Sequence, residues 1–238
     1  MFASPSSLPP RGGLPSRGNS PAELTAFSEQ ALQLTETMAA IHRRGWCEGT
    51  GGNFSCTLSH DPLRLLMAPS GVDKGSVRPE ELIVVDGQAE VIHGYGRPSA
   101  ETRLHIAIIS RCHAGAVLHT HSQSGTLLSR HHGPGPGEPP AHLVIEQLEM
   151  LKGLEGIHSH DCRIEIPILA NDQNLERLSS NAQPILANAP HGLLIAGHGL
   201  YAWGSDLRQA QRHLEILEFL LEQQWRQLLL DTLLQSQR

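Results

Sequence analysis

Between residues 24 and 41 the apolar positions fall at helical spacing. Leu24, Phe27, Ala31, Leu34, Met38 and Ile41 follow one another at steps of three and four, which predicts an amphipathic helix with one buried face. Just before it, Ser20-Pro21-Ala22-Glu23 reads as a helix start, with Ser20 as cap, Pro21 at the first helical position and Glu23 completing a capping box. Gly45 supplies the stop. The runs 53–58, 65–68 and 82–85 then read as strands, the last closed by the turn pair Asp86-Gly87. Pro98-Ser99-Ala100-Glu101 predicts a second helix start, with Ser99 as cap and Glu101 in the first turn, running to about Arg111. Ala116-Val117-Leu118 opens a buried strand that leads into His119-Thr120-His121.

A Gly/Pro-rich loop lies near 133–140, and strand-like runs recur at 143–145, 163–168 and 193–196. The last helix is expected from about Ser205, with Leu207, Ala210, Leu214, Leu217 and Leu221 on its stripe and Trp225 and Leu228 continuing it. So long a stripe suits a partner subunit as well as the domain body. Strands and helices mix without strict alternation, which predicts one α/β domain with helices covering a central sheet. Residues 1–19 are rich in Ser, Pro, Gly and Arg without periodicity and read as a disordered tail, leaving 20–238 as one folded domain.

Composition narrows the functional classes. The 238 residues are 39% hydrophobic and 18% charged, an ordinary globular balance, and at 4% aromatic the core must be mainly aliphatic. A formal net charge of −6 argues against nucleic-acid binding by bulk charge, although a pocket on such a chain can still be locally positive. No apolar run approaches the roughly 20 residues of a membrane span, and the N-terminus lacks the apolar stretch of a signal peptide. Cys47, Cys56, Cys112 and Cys162 form no C-x-x-C pair. They read as reduced thiols of a cytoplasmic protein.

Histidine is abundant, with 15 copies. His119 and His121 are two apart at a predicted strand end, so both rings face one side. H-x-H alone is weak. Ala196-Gly197-His198-Gly199-Leu200 adds a histidine set in bare backbone after another strand. Three such ligands leave a coordination position open, as catalytic metal sites do. His113, His131, His132, His158, His160 and His191 lack that context and read as surface or loop residues. Three imidazoles suit zinc, and also iron, cobalt or manganese.

The stretch Gly49–Ser55, with Gly52 and Asn53 at its centre, offers backbone N–H groups and polar side chains able to cradle a phosphate. It is neither a P-loop nor a dinucleotide fingerprint. Ser70 and Gly71, followed by Lys74, and the helix start at Ser99 have the same chemistry. Lys74 is equally readable as a solvated loop lysine. Glu101 can simply favour a helix dipole. Glu149 sits between apolar neighbours, where a carboxyl can have a raised pKa and donate a proton, although position does not separate it from Glu146.

Gly-Gly-Asn-Phe-Ser at 51–55, Ala-Pro-Ser-Gly at 68–71, Pro-Ser-Ala-Glu at 98–101, His-Thr-His at 119–121 and Gly-His-Gly at 197–199 occur in the order seen in class II aldolases and their adducin-related relatives. The chain resembles that superfamily over about residues 22 to 228. Glu149–Gly153 and Gly199–Gly204 make it most similar to the branch that dehydrates methylthioribulose 1-phosphate in methionine salvage. The resemblance implies a three-layer α/β/α domain with a mainly antiparallel sheet, and a homotetramer with sites near subunit borders. It also implies one divalent metal per subunit, most simply Zn2+, held by His119, His121 and His198. Glu149 becomes the acid/base group, and the segments around Asn53, Ser70 and Ser99 the phosphate loops. The substrate implied is a small phosphorylated keto-sugar, dehydrated to a 2,3-diketone through an enediolate stabilised by the cation. Glu101 stands where the aldolases carry their catalytic glutamate. That keeps a sugar-phosphate aldolase or a pentulose-phosphate 4-epimerase as alternatives, with a non-catalytic adducin-like module ranked below them.

Overall fold

The computed structural model describes residues 21–236, with side chains from residue 27 onward. The expected tail over 1–19, the Ser20–Glu23 cap and the Leu24 side chain lie outside what is described.

Helix α1 (Pro21–Arg43) forms where the three-four spacing placed it and buries Ala31, Leu34, Met38 and Ile41. Gly45 follows at φ 72°, a conformation that ends the helix without steric cost. Among the described residues nine strands make one sheet: β1 (Asn53–His60), β2 (Leu63–Met67), β3 (Ile83–Asp86), β4 (Val91–His93), β5 (Ala116–Thr120), β6 (Ala141–Glu146), β7 (Arg163–Leu169), β8 (Gly192–Ile195) and β9 (Gly199–Gly204). Their spatial order is β4-β3-β2-β1-β5-β9-β8-β7-β6. Every pair is antiparallel except β7 with β8, which are joined by the crossover helix α4 (Leu175–Leu186). The sheet is therefore mixed but mainly antiparallel, as expected.

Alternation along the strands fills two cores. On one face Phe54, Leu66, Leu118, Leu194 and Ala202 meet α1, α3 (Gln123–His132) and α5 (Leu207–Gln235). On the other, Met67, Val117, Leu193, Tyr201 and Trp203 meet α2 (Thr102–Cys112) and α4. Each fully buried aliphatic side chain contributes about 1.5–3 kcal/mol relative to exposure, so the central strands are stabilised from both sides and give the site a rigid base. Among the described residues no helix is long and apolar enough to cross a membrane, and the four cysteines are unpaired thiols.

One reading is corrected here. Ser99 does not cap α2. Glu101 occupies the cap position, and the Ser99 hydroxyl instead accepts from the Glu101 amide at 3.3 Å. The last helix, expected from about Ser205, is α5, capped by Asp206, whose carboxylate accepts from the Gln209 amide at 2.7 Å. Helices α3 and α4, and strands β4 and β9, were not among the expected elements.

Candidate metal centre and its pocket

His119 is the penultimate residue of β5, and the strand's alternation puts it and His121 on the α2 face while Thr120 points to the α5 face. His119 Nδ1 donates to the Leu200 carbonyl at 2.9 Å, which fixes the tautomer and leaves Nε2 as the free lone pair. Its ring stacks on Tyr201, with centroids 3.9 Å apart and planes 11° from parallel. His198 lies in the short β8–β9 connection, where Gly197 at φ 64° turns the chain. His119 Nε2 comes within 2.8 Å of His121 Nε2 and 3.4 Å of His198 Nε2. Three imidazoles on a tetrahedral ion at Zn–N distances of 2.0–2.1 Å stand about 3.3 Å apart, so the donors present fit a divalent cation with only a small opening of the His119–His121 pair.

Glu101 completes the cluster, with Oε1 2.9 Å from His198 Nε2 and Oε2 3.8 Å from His119 Nε2. The Asn53 side-chain amide donates to the same carboxylate. Burial pushes the Glu101 pKa up, but the bond to His198 and the proximity of His119 outweigh it and bring the value down to about 2. Burial depresses both His119 and His121, each further lowered by the neighbouring histidines. Neutral imidazoles beside an ionised carboxylate are the protonation states a metal site needs.

A pocket of about 290 Å³ opens beside this cluster. Gly52, Asn53, Ser70, Gly71, Lys74 and Ser99, the residues singled out for anion binding, all line it, together with Glu101, His121 and His198. Gly52 is required twice over. Its φ is +71°, and a Cβ there would stand 2.7 Å from the His119 carbonyl oxygen. Lys74 is not a solvated loop residue: it is 3% exposed, and its ammonium donates to the carbonyls of Thr50 and Val72 at 3.1 and 2.9 Å. Burial lowers its pKa. Asn171, Asp172 and Gln173 form a wall of the pocket that the sequence did not reveal. Only the β7–β8 crossover brings them there, at the carboxyl ends of the two parallel strands, where open α/β sheets gather ligands.

Glu149 is placed elsewhere. It follows β6, four strands from β5, which is roughly 19 Å at 4.8 Å per strand. Because β6 runs opposite to β5, it also leaves the sheet at the opposite end from His119. Its side chain is 68% exposed and paired with Lys152, with His160 at 3.8 Å. The apolar neighbours do not raise its pKa; the hydrogen bond and charge of Lys152 lower it. A second group, Glu155, His191 and His213, also gathers within 4.8 Å. Both His213 nitrogens there are already engaged, by the Trp203 carbonyl at 2.7 Å and the Glu155 amide at 3.3 Å.

A three-layer α/β/α domain with three imidazoles and a carboxylate at the ends of its central strands defines a class II aldolase-type protein. Residues 32–225 match the family described as Class II Aldolase and Adducin N-terminal domain, and the chain belongs to that family. The methylthioribulose-1-phosphate dehydratase of Pectobacterium atrosepticum is 42% identical over 196 residues, covering 80% of this chain and 92% of that protein. The enzyme of the same name from Methylococcus capsulatus is 40% identical over 201 residues, covering 83% and 94%. The L-fuculose-1-phosphate aldolase structure from Thermus thermophilus superposes with a TM-score of 0.64 at 23% identity, over 88% of this chain and 98% of that one, and shares the fold.

Proposed function

We propose that the chain is a metal-dependent hydro-lyase that dehydrates 5-methylthioribulose 1-phosphate to 2,3-diketo-5-methylthiopentyl 1-phosphate in methionine salvage. One observation carries the reading: His121 and His198 of the three-histidine cluster line the same pocket as the anion-type loops, in a chain about 40% identical to dehydratases of that substrate. His119, His121 and His198 would hold the cation, Zn2+ being the best match to three imidazoles. When bound, the cation supplies Lewis-acid polarisation of the C2 ketone, which acidifies the C3 proton.

The remaining work falls to side chains. Gly52, Asn53, Ser70, Gly71 and Ser99, with the Lys74 ammonium behind them, anchor the C1 phosphate and turn remote binding into orientation at C3 and C4. Glu101, held ionised by its histidine neighbours, is a carboxylate within reach of a substrate seated at the cluster and can accept a proton there. Loss of the C3 proton and departure of the C4 hydroxyl leave an enol, which tautomerises to the diketone. The departing hydroxyl needs a proton, and that role falls to Glu149. Within one chain Glu149 is far from the cluster, so a neighbouring subunit delivers it. A homotetramer fits this need and covers Leu229, Leu230, Leu233 and Leu234, which stand exposed on the last turns of α5. This metabolic role supports a cytoplasmic protein.

Incubation of the zinc-loaded protein with 5-methylthioribulose 1-phosphate, followed by mass spectrometry, tests the reading. The expected product is lighter by one water. Two fragments instead would make the chain an aldolase, for which Glu101 beside the cluster is suitably placed, and an isomer of unchanged mass would make it an epimerase. His198→Ala is expected to lose bound metal and turnover together.

A further inference from the structure

A carboxylate buried on a helix that packs against a sheet is unfavourable unless polar partners meet it. Glu218, on α5, is 2% exposed and stands among the helix's apolar positions Leu214, Leu217 and Leu221. A leucine would satisfy the packing there, so the carboxylate answers another need. Its partners show which. The Thr120 hydroxyl donates to Oε1 at 2.5 Å, and the Ser122 hydroxyl is its second polar neighbour.

Thr120 lies between His119 and His121, and Ser122 comes directly after them. The alternation that turns two imidazoles to the cluster turns these two hydroxyls to the opposite face, where one carboxylate meets both. Ser122 also caps α3, accepting from the Gly125 amide at 3.0 Å. From α3 the Thr126 hydroxyl donates to the His198 carbonyl at 3.1 Å, and the Ser129 hydroxyl accepts from the Gly197 amide at 3.1 Å. Every segment that carries a histidine of the cluster is thus held from behind by polar groups of the α3–α5 layer.

We propose that Glu218 is a positioning residue for the metal-ligand histidines, fixing the end of β5 through Thr120 and Ser122 so that His119 and His121 point at one ion. The proposal rests on the reading that these histidines hold a divalent cation. Glu218 touches neither ion nor substrate, and acts on how tightly the preformed triad binds.

Competition with a chromophoric chelator for Zn2+, using chelator-stripped wild type, E218Q, E218L, T120V and H198A, tests this, alongside thermal unfolding of each metal-free form. E218Q keeps an acceptor for Thr120 and should bind zinc as wild type does. E218L and T120V should bind about 10- to 100-fold more weakly, the usual effect of removing a group that orients a metal ligand. Their metal-free forms should still unfold cooperatively, which separates positioning from loss of fold. Unchanged zinc affinity in a folded E218L or T120V overturns the proposal, and T120V decides alone should E218L not fold. Wild type that binds no zinc, or H198A that binds as tightly as wild type, overturns the metal reading itself and the proposal with it.

Discussion

His105 sits directly under the histidine cluster without joining it. Its Nδ1 pairs with the Ser55 hydroxyl at 2.8 Å, and its ring meets the edge of Tyr201, on whose face His119 stacks. Burial lowers its pKa from 6.5 to about 4, and the Glu101 charge offsets this only in part. Between those values the unfolded chain binds a proton that the native protein does not, so stability rises with pH across that window and falls as acid is added. At about 1.36 kcal/mol per pH unit, His105 should remove roughly 2 kcal/mol of stability between pH 7 and pH 5. His105→Leu leaves the Ser55 hydroxyl unpaired, a penalty that does not depend on pH. Urea unfolding of the metal-free proteins at both pH values should therefore show wild type losing about 2 kcal/mol more than the variant. Equal losses would mean that His105 takes up its proton as readily in the fold as in the unfolded chain, contradicting its burial.

At the scale of elements, the β5–β9 pair carries the site, and its closeness depends on one missing side chain. Thr120 pairs with Leu200, and a Cβ on Gly199 would stand 2.0 Å from the Thr120 carbonyl oxygen, a backbone atom that cannot rotate away. Gly199→Ala should push the strands apart, cost on the order of 3 kcal/mol in stability, and weaken metal binding by disturbing the bond from His119 to the Leu200 carbonyl. Chemical denaturation and zinc titration of the variant check both effects, and an unshifted midpoint would show that the strands yield freely. Such constraints explain what the sequence disclosed. His119, His121 and His198 were legible because each follows an apolar run at a strand end, and the anion loops because glycine and hydroxyl residues cluster locally. Helix α3 was not, since it buries Ser124, Gly125 and Ser129 against the sheet with Leu128 as its one buried large apolar side chain. Its polar groups are spent on the His198 loop, which erases the periodicity. Helix α4 does carry a regular stripe, burying Leu178, Ala182 and Leu186 at steps of four, and it was readable in the sequence but missed; Pro184 inside the helix is the one local signal against it. Asn171–Gln173 reach the pocket through long-range topology that no local pattern encodes.

The whole molecule raises the question of where the second acid comes from. Apolar neighbours around Glu149 suggested a buried carboxyl, yet the 3-10 turn Glu149–Gly153 sends it outward, exposed and paired with Lys152. Strand order and direction place it at the far edge and opposite end of its own sheet, so no side-chain rotation brings it to His119 of the same chain. A ring of identical subunits would resolve this, because a repeated head-to-tail contact sets one surface of each copy against a different surface of the next. Each site would then combine the histidines of one copy with Glu149 of its neighbour. Two inactive variants, His198→Ala and Glu149→Gln, should complement each other when unfolded together and reassembled. In a random equimolar mixture a working site needs intact histidines from one parent and an intact Glu149 from the other, which gives about a quarter of wild-type turnover for a closed ring with one such contact per site. Each variant reassembled alone should stay inactive. Recovery near a quarter, measured as diketone formed per subunit, assigns Glu149 to the neighbouring site. A mixture as inactive as its parents, in assemblies shown to be hybrid, would remove Glu149 from the reaction or return it to its own chain.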